Sequence, residues 1–407
     1  MKAIDHSAAP PRRYDLDWLR VLAFGLLILY HVGMYYVADW GWHIKSPEPS
    51  EFLQNLMWLT NPWRMSLLFF VSGAALFFAS RKISPGALVK LRNKRLLLPL
   101  LFGMAVIVPP QLYVELVTSE GMAWGYGTFY ATYLDVGTEA YPQHQHGPLG
   151  LWTWNHLWFL AYLWVYTLVF VLIKPLLDRA ARRLRDARPG SWTVLLLPVV
   201  MLTAFRLLLA EHYPPNNALF GDWYNHSRYF AFLCGGYLLA DCVAFWSLAA
   251  RHCWRFLAAA FAAYASVLMI VNGLFDSLRP LPEEGPGLVL VRVLASFDQW
   301  LWILAVLGLG HRYLNRPGAV LRYMNDAILP WYMLHQTLII LFAFWLLPLA
   351  LPRGLESVVL VLATVVGCAL GYELVRRFRA GRLLFGLKVD RESSASALPG
   401  GPAASAL

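Results

Sequence analysis

Ten apolar stretches separated by polar segments constrain the fold of this chain more than any other feature. A helix needs about 20 residues to cross roughly 30 Å of hydrocarbon. The stretches lie near 17–38, 64–80, 95–115, 157–174, 192–210, 228–248, 254–274, 288–310, 327–349 and 354–375. Composition agrees, since 58% of the residues are hydrophobic, 14% are charged, and the mean hydropathy is +0.50. The sequence predicts an all-α polytopic membrane protein with about ten transmembrane helices.

Lysine and arginine are distributed unevenly between the two sides that these stretches define. Alternate segments on one side receive 27 of the 34 basic residues, and the other side receives 7. Because basic residues are retained in the cytoplasm, both termini are predicted to be cytoplasmic in a multi-pass protein of a bacterial inner membrane. The net charge of +10 then reflects topology, so we expect membrane lipid and no nucleic acid as a partner.

The chain divides into three predicted segments. Residues 1–16 form a cytoplasmic N-terminal segment, 17–377 form the ten-helix domain, and 378–407 form a cytoplasmic tail. From Arg391 the tail is rich in Ser, Ala, Pro and Gly, which predicts disorder. No small-residue cleavage site follows the first stretch, so we expect that helix to remain in the mature protein.

The sequence lacks a pattern typical of a metal site. Its four cysteines fall in or beside apolar stretches without metal-ligand spacing, which favours a packing role. His144 and His146 lie close together, but no third ligand accompanies them. We therefore predict no bound metal.

The first helix carries the most informative polar residues, Asp17, Arg20 and His31. His31 follows Arg20 by eleven positions, which corresponds to three turns plus about 20°, so the two share one face about 16 Å apart. Asp17 precedes Arg20 by three residues and is placed to pair with it. A neutral imidazole at His31 is suited to taking a proton from a hydroxyl. The alternative is a histidine that only bonds a backbone carbonyl.

The second and third helices supply further candidates. Ser72 and Gly73 place small residues inside the second helix, where they permit close approach of another helix. Arg64 enters that helix from outside and either faces a ligand or extends to the interface. Arg92 and Arg95 lie one turn apart at the cytoplasmic entry of the third helix. They fit a phosphate cradle or a plain positive anchor equally well.

Other polar residues lie in later helices. His156 and Trp158 open the fourth helix at the outer surface, while His335 lies in the ninth, and one of the two histidines is expected to be structural. Glu373 in the tenth helix needs a partner, which Arg376 or Arg377 is placed to supply.

A long outer loop, near 116–156, contains Glu120, Asp135, Glu139 and two histidines but no Lys or Arg. It is rich in Gly, Tyr and Trp. This composition suits a sugar-binding loop. It also suits an ordered lid packed on the helix ends.

Read together, these residues resemble the acyltransferase-3 superfamily of integral membrane O-acyltransferases, whose first helix carries an Arg, ten residues and then a His. A branch that succinylates osmoregulated periplasmic glucans is similar over nearly the whole chain. The shared strings are LDWLR (Leu16–Arg20), WHIKSPEPS (Trp42–Ser50), Arg64-Met65, Ser72-Gly73, HLWFL (His156–Leu160), YPP (Tyr213–Pro215), GHRYLN (Gly310–Asn315), His335 and Tyr372-Glu373.

The resemblance implies transfer of an acyl group from cytoplasmic acyl-CoA to hydroxyls of a periplasmic glucan or related glycan. The donor is succinyl-CoA or acetyl-CoA, with succinyl favoured, and no cofactor is permanently bound. His31 is implied as the general base, and Asp17 and Arg20 as the residues that orient the site. The implied CoA-binding residues are Arg92, Arg95 and Ser72. The implied supporting or acceptor-site residues are Arg64, His156, Trp158, His335 and Glu373.

Two other functions compete with this prediction. In a proton-coupled glycan transporter or exporter, His31, His335 and Glu373 would form a proton relay. A ligand sensor would bind without turnover. The sequence also leaves open a homo-oligomer or an association with glucan-synthesis proteins.

Overall fold

The computed structural model describes residues 12–145, 149–187, 190–273 and 286–388. Most of the predicted N-terminal segment, His146 and the tail from Arg391 lie outside these ranges. The helices are α1 (Tyr14–Tyr36), α2 (Glu51–Trp58), α3 (Arg64–Ala79), α4 (Pro85–Ser119), α5 (Tyr126–Leu134), α6 (Trp158–Ala187), α7 (Ser191–Leu208), α8 (Trp223–Leu239), α9 (Val243–Val271), α10 (Pro286–Tyr313), α11 (Ala319–Leu346), α12 (Arg353–Val375) and α13 (Arg379–Leu384).

The all-α polytopic prediction is confirmed. A helix coincides with each of the ten predicted stretches, and eight helices in the described ranges are long and apolar enough to cross a membrane. The other two, α3 and α8, have 16 and 17 residues. We call the end of the bundle where α1 begins and α12 ends the basic face, and the opposite end the loop face.

The short helices α3 and α8 pack against each other through glycine. A Cβ atom at Gly73 would lie 1.8 Å from the carbonyl oxygen of Leu233, and one at Gly236 would lie 1.9 Å from that of Phe70. Any larger side chain would separate the two backbones. The predicted close approach at Gly73 is confirmed, and Ser72 lies half-buried beside it.

Helix α4 is irregular, with π-helical turns at Asn93–Leu97 and Gly103–Ile107. Pro109 and Pro110 have no N–H to donate to the preceding turn, so carbonyl groups there need other donors. Two tyrosines of α5 supply them. Tyr133 donates to Met104 at 2.7 Å, and Tyr130 donates to Ala105 at 3.0 Å.

These bonds, with a buried cluster around Phe129 and Leu151, fix the outer loop on the helix ends. The predicted ordered lid is therefore confirmed.

Helices α1 and α11 run parallel and bring two pairs of polar side chains together. Near the basic face, Arg20 Nη2 donates to Asn325 Oδ1 at 2.7 Å. Deeper in the bundle, His31 meets His335 at 3.1 Å between ring nitrogens. Arg20 and His31 therefore share a face, as the helical spacing predicts.

Candidate active site

The centre of the site is the pair His31 and His335. His335 Nδ1 lies 2.7 Å from the carbonyl oxygen of Tyr332, which only accepts, so Nδ1 carries the proton. His335 Nε2 then accepts from His31 Nδ1, which also lies 2.9 Å from the Leu27 carbonyl oxygen. This pattern places the proton of His31 on Nδ1 and leaves its Nε2 as the basic nitrogen. His335 is 1% exposed, so its orientation is fixed by packing as well as by hydrogen bonds.

A third histidine, His156, supports this pair. Its ring lies edge-on to His335, with centroids 5.4 Å apart. Its Nε2 is 3.1 Å from the Met333 carbonyl oxygen, and its Nδ1 accepts from Gln111 at 3.2 Å. Both ring nitrogens of His156 therefore have hydrogen-bond partners, and its ring packs beside the pair of His31 and His335.

A polar network continues from this histidine cluster toward the loop face. Asn155 Nδ2 donates to Gln111 Oε1 at 2.9 Å and approaches His43 Nε2 at 3.0 Å. His43 Nδ1 bonds the Glu115 carboxylate, and Glu115 is 3.7 Å from His144.

These residues were not among the predicted site residues, although His43 lies in the WHIKSPEPS string and His144 in the outer loop. A carboxylate at the last position of the third stretch, Glu115, was the signal available for finding them.

His144 also contacts Glu120, whose side chain lies outside the membrane-spanning helices. The distance from His144 Nε2 to Glu120 Oε1 is 3.2 Å, and this hydrogen bond lowers the pKa of the Glu120 carboxyl. Within the described ranges, no group of three His, Cys, Asp or Glu side chains is placed to hold a metal ion.

Arg64 contacts Tyr30, the residue that precedes His31 in α1. Its guanidinium carbon is 3.2 Å from the ring centroid of Tyr30, and that ring lies edge-on to His31 at 5.8 Å. Arg64 Nη1 and the Tyr30 hydroxyl both donate to Asn61 Oδ1, at 3.2 and 3.1 Å. Arg64 is only 8% exposed, so it faces the interior instead of extending to the interface.

Three arginines gather at the basic face. Arg20 pairs with Asp17 at 3.4 Å, which confirms the predicted pair, and Arg92 and Arg95 lie within its electrostatic range. In the described part of the chain, no hydrogen bond or ion pair joins Arg92 or Arg95 to another side chain. The Nε atoms of Arg20 and Arg92 are buried without a partner.

Three of the predicted residues lie apart from both centres. Glu373 accepts from Tyr323 at 3.0 Å and from Arg376 at 3.2 Å. Tyr323 precedes His335 by 12 residues, so Glu373 is about 18 Å from that histidine along α11 and does not support it. Its partner is one of the two arginines expected from the sequence.

The other two are Trp158 and Ser72. Trp158 stacks on Tyr229, with centroids 5.4 Å apart, and belongs to an aromatic cluster. The hydroxyl of Ser72 contacts none of the three arginines in the described ranges.

A sequence profile of the acyltransferase-3 family, described as an acyltransferase domain, matches residues 13–373. The chain belongs to this family. The acyltransferase is similar to glucans biosynthesis protein C of Salmonella typhimurium strain LT2, with 25% identity over 407 residues covering 96% of this chain and 99% of the relative. The proteins of the same name in Salmonella paratyphi B and Salmonella dublin show the same identity and coverage. No solved structure matches. The protein is therefore a multi-pass membrane acyltransferase.

Proposed function

We propose that this acyltransferase moves an acyl group from acyl-CoA at the basic face to a hydroxyl of a periplasmic glucan or related glycan. Succinyl is the favoured group, and acetyl is the alternative. The proposal places the basic face and both termini in the cytoplasm of a bacterial inner membrane, with residues 17–377 as the acyltransferase domain. The name of the similar proteins, glucans biosynthesis protein C, supports the choice of acceptor.

The hydrogen-bond pattern of His31 carries this proposal. Because Nδ1 donates to His335, the lone pair of Nε2 is available for an acceptor hydroxyl. The Leu27 carbonyl oxygen, which only accepts, holds this tautomer, and His335 is the positioning residue that orients the ring, as a hydrogen-bonded partner does for other catalytic histidines.

The reaction then needs no redox step. Nε2 of His31 takes the hydroxyl proton while the hydroxyl oxygen attacks the thioester carbonyl. The carbon–sulfur bond breaks, and the thiolate of CoA receives the proton back from the imidazolium. The products are the glycan ester and the free thiol of CoA.

The acyl-CoA donor would extend from the arginines of the basic face to His31. Arg20, Arg92 and Arg95 offer unpaired guanidinium donors for the phosphates of CoA. His31 lies about 16 Å further along the same helix face. An extended pantetheine arm between them would bring the thioester to the imidazole, and CoA would act as a substrate instead of a resident cofactor.

The acceptor would approach from the loop face. The end of α4 carries the carboxylate of Glu115, and the lid carries that of Glu120 together with the partly exposed rings of Trp124 and Tyr126. Carboxylates bond sugar hydroxyls, and aromatic rings pack on sugar faces. Neutral or weakly polar glycans suit this surface better than nucleic acid, because the lid lacks basic residues.

The competing proton relay finds less support. Glu373 contacts Tyr323 and Arg376 at the basic face, and His31 contacts His335 far from it. A proton relay through all three groups would have to cross about 18 Å along α11, the distance between the Glu373 carboxylate and the two histidines. The geometry favours acyl transfer.

Mass spectrometry of periplasmic glucans from cells with and without the gene tests the proposal. We expect glucans with added succinyl mass only in cells that carry the gene. Added acetyl mass would replace the favoured donor. An unchanged glucan profile, together with no transfer from either acyl-CoA by isolated membranes, would contradict the proposed function.

A further inference from the structure

Arg64 is a buried cation without a carboxylate partner in the described part of the chain. Its Nη1 is held by Asn61, whereas its Nε is buried and bonds nothing. Nη2 likewise makes no hydrogen bond within the described ranges. A charged side chain inside a membrane bundle is costly unless it is paired. The unused Nε and Nη2 form one edge of the guanidinium, which matches the two oxygens of a carboxylate.

The position of this edge relates it to the candidate base. The guanidinium carbon is 3.2 Å from the Tyr30 centroid, and that centroid is 5.8 Å from the His31 centroid, so Arg64 lies at most about 9 Å from the imidazole. His31 and Arg64 also interact electrostatically. An anion bound at Arg64 is therefore within one short carbon chain of an acyl carbonyl at His31.

We infer that Arg64 binds the terminal carboxylate of a dicarboxylic acyl group while its thioester carbonyl lies at His31. The inference rests on the proposed function. In a succinyl group, three carbon–carbon bonds place the carboxylate carbon about 4 Å from the reacting carbonyl carbon. The guanidinium carbon lies no more than about 9 Å from the imidazole centroid, so a succinyl chain with a hydrogen-bonded contact at each end can bridge the two groups.

The neighbours of Arg64 hold it ready for this contact. Asn61 Oδ1 accepts from both Arg64 and the Tyr30 hydroxyl, and the guanidinium carbon lies 3.2 Å from the Tyr30 centroid. These contacts occupy one end and one face of the group. The edge that remains, formed by Nε and Nη2, is the edge that a carboxylate needs.

Such a site would select the donor. An acetyl group has no carboxylate, so acetyl-CoA would leave Arg64 unpaired in the bundle. Sites built to bond a polar group discriminate strongly against analogues that lack it. Arg64 would therefore determine specificity for succinyl over acetyl donors without taking part in the proton transfer.

Donor competition in isolated membranes tests the inference. Membranes containing the wild-type protein, R64Q, R64K or R353Q are given succinyl-CoA or acetyl-CoA with a neutral glucan acceptor, and the ester products are quantified by mass spectrometry. Arg353 is the matched control, because it is an exposed arginine bonded to the Pro49 carbonyl oxygen. The ratio of the two products cancels differences in the amount of folded protein.

We expect R64Q to lower the succinyl-to-acetyl ratio by about tenfold or more, because it removes the charged hydrogen bonds to the carboxylate. R64K should fall between R64Q and wild type, and R353Q should match wild type. An unchanged ratio in R64Q, with either equal loss or full retention of both activities, would overturn the inference.

A second acceptor, a glucan bearing anionic substituents, shows whether the anion at Arg64 comes from the acyl donor or from the glucan. If R64Q keeps its donor ratio but loses transfer only to a glucan bearing anionic substituents, Arg64 reads the acceptor, and the inference about the acyl group is wrong. Inactivity of the wild-type membranes with both donors would instead contradict the proposed function itself.

Discussion

Helix α1 contributes His31 to the histidine cluster and Arg20 to the arginines of the basic face, but the two regions differ in how their polar groups are satisfied. His335 and His156 use both ring nitrogens in hydrogen bonds, and His31 uses Nδ1. At the basic face, Arg92 and Arg95 have no such partner in the described residues, and Arg20 keeps a buried Nε without one. On the proposed function, the first centre is organised before substrate arrives, whereas the second is completed by the phosphates of the donor.

The largest effect is expected from breaking the organised centre at His335. H335A should lower turnover about a hundredfold with little change in KM for acyl-CoA, because His31 loses the side-chain partner that orients its ring. H335Q, which offers an amide oxygen to His31 Nδ1, should recover part of the rate. Steady-state kinetics in membranes measures both.

H252A is the control for the H335A and H335Q variants, since His252 contacts Arg255. Equal loss of rate in H335A and H335Q, with a parallel loss of folded protein, would show that His335 only supports the fold.

A smaller effect is expected at the basic face. R92Q and R95Q should each raise KM for acyl-CoA about tenfold and change turnover little, because each removes a charged donor to phosphate. The difference from wild type should shrink as salt rises. K90Q removes an exposed charge from the same helix and should have a weaker effect. A fall in turnover at unchanged KM would place these arginines with the chemistry instead of with donor binding.

The smallest effect is expected at Glu373, which lies at the basic face but, in the described residues, bonds Tyr323 and Arg376 and none of Arg20, Arg92 and Arg95. Its ion pair with Arg376 is exposed on both sides, with 40% and 44% of the side chains accessible, so it contributes at most about 1 kcal/mol. E373Q should keep transfer within about twofold of wild type. Loss of activity comparable to that of H335A would revive the proton relay.

The fold was largely predictable from hydropathy. Each apolar stretch became a helix, and the spacing of Arg20 and His31 placed both against α11. The close helix packing at Gly73 was also predictable, because a small residue in a membrane helix permits two helices to approach closely. These features depend on one helix at a time.

The partners within the site were not predictable in the same way. The contact between His31 and His335, and the network through Gln111, Asn155 and His43, depend on the register between helices far apart in sequence. Periodicity within one helix gives no information on that register. Glu373 is another example. Its sequence position did not reveal that it bonds Tyr323 near the start of α11, 12 residues before His335.

Measuring donor binding and transfer together in H31A membranes tests the division between the two centres most directly. The account predicts that H31A binds acyl-CoA as wild type does, while ester formation falls by at least about a hundredfold. Binding is followed with labelled acyl-CoA, and transfer by mass spectrometry of the glucan. Wild-type transfer in H31A would contradict the role of His31 as the base. Loss of donor binding in that variant would contradict the separation of binding from chemistry.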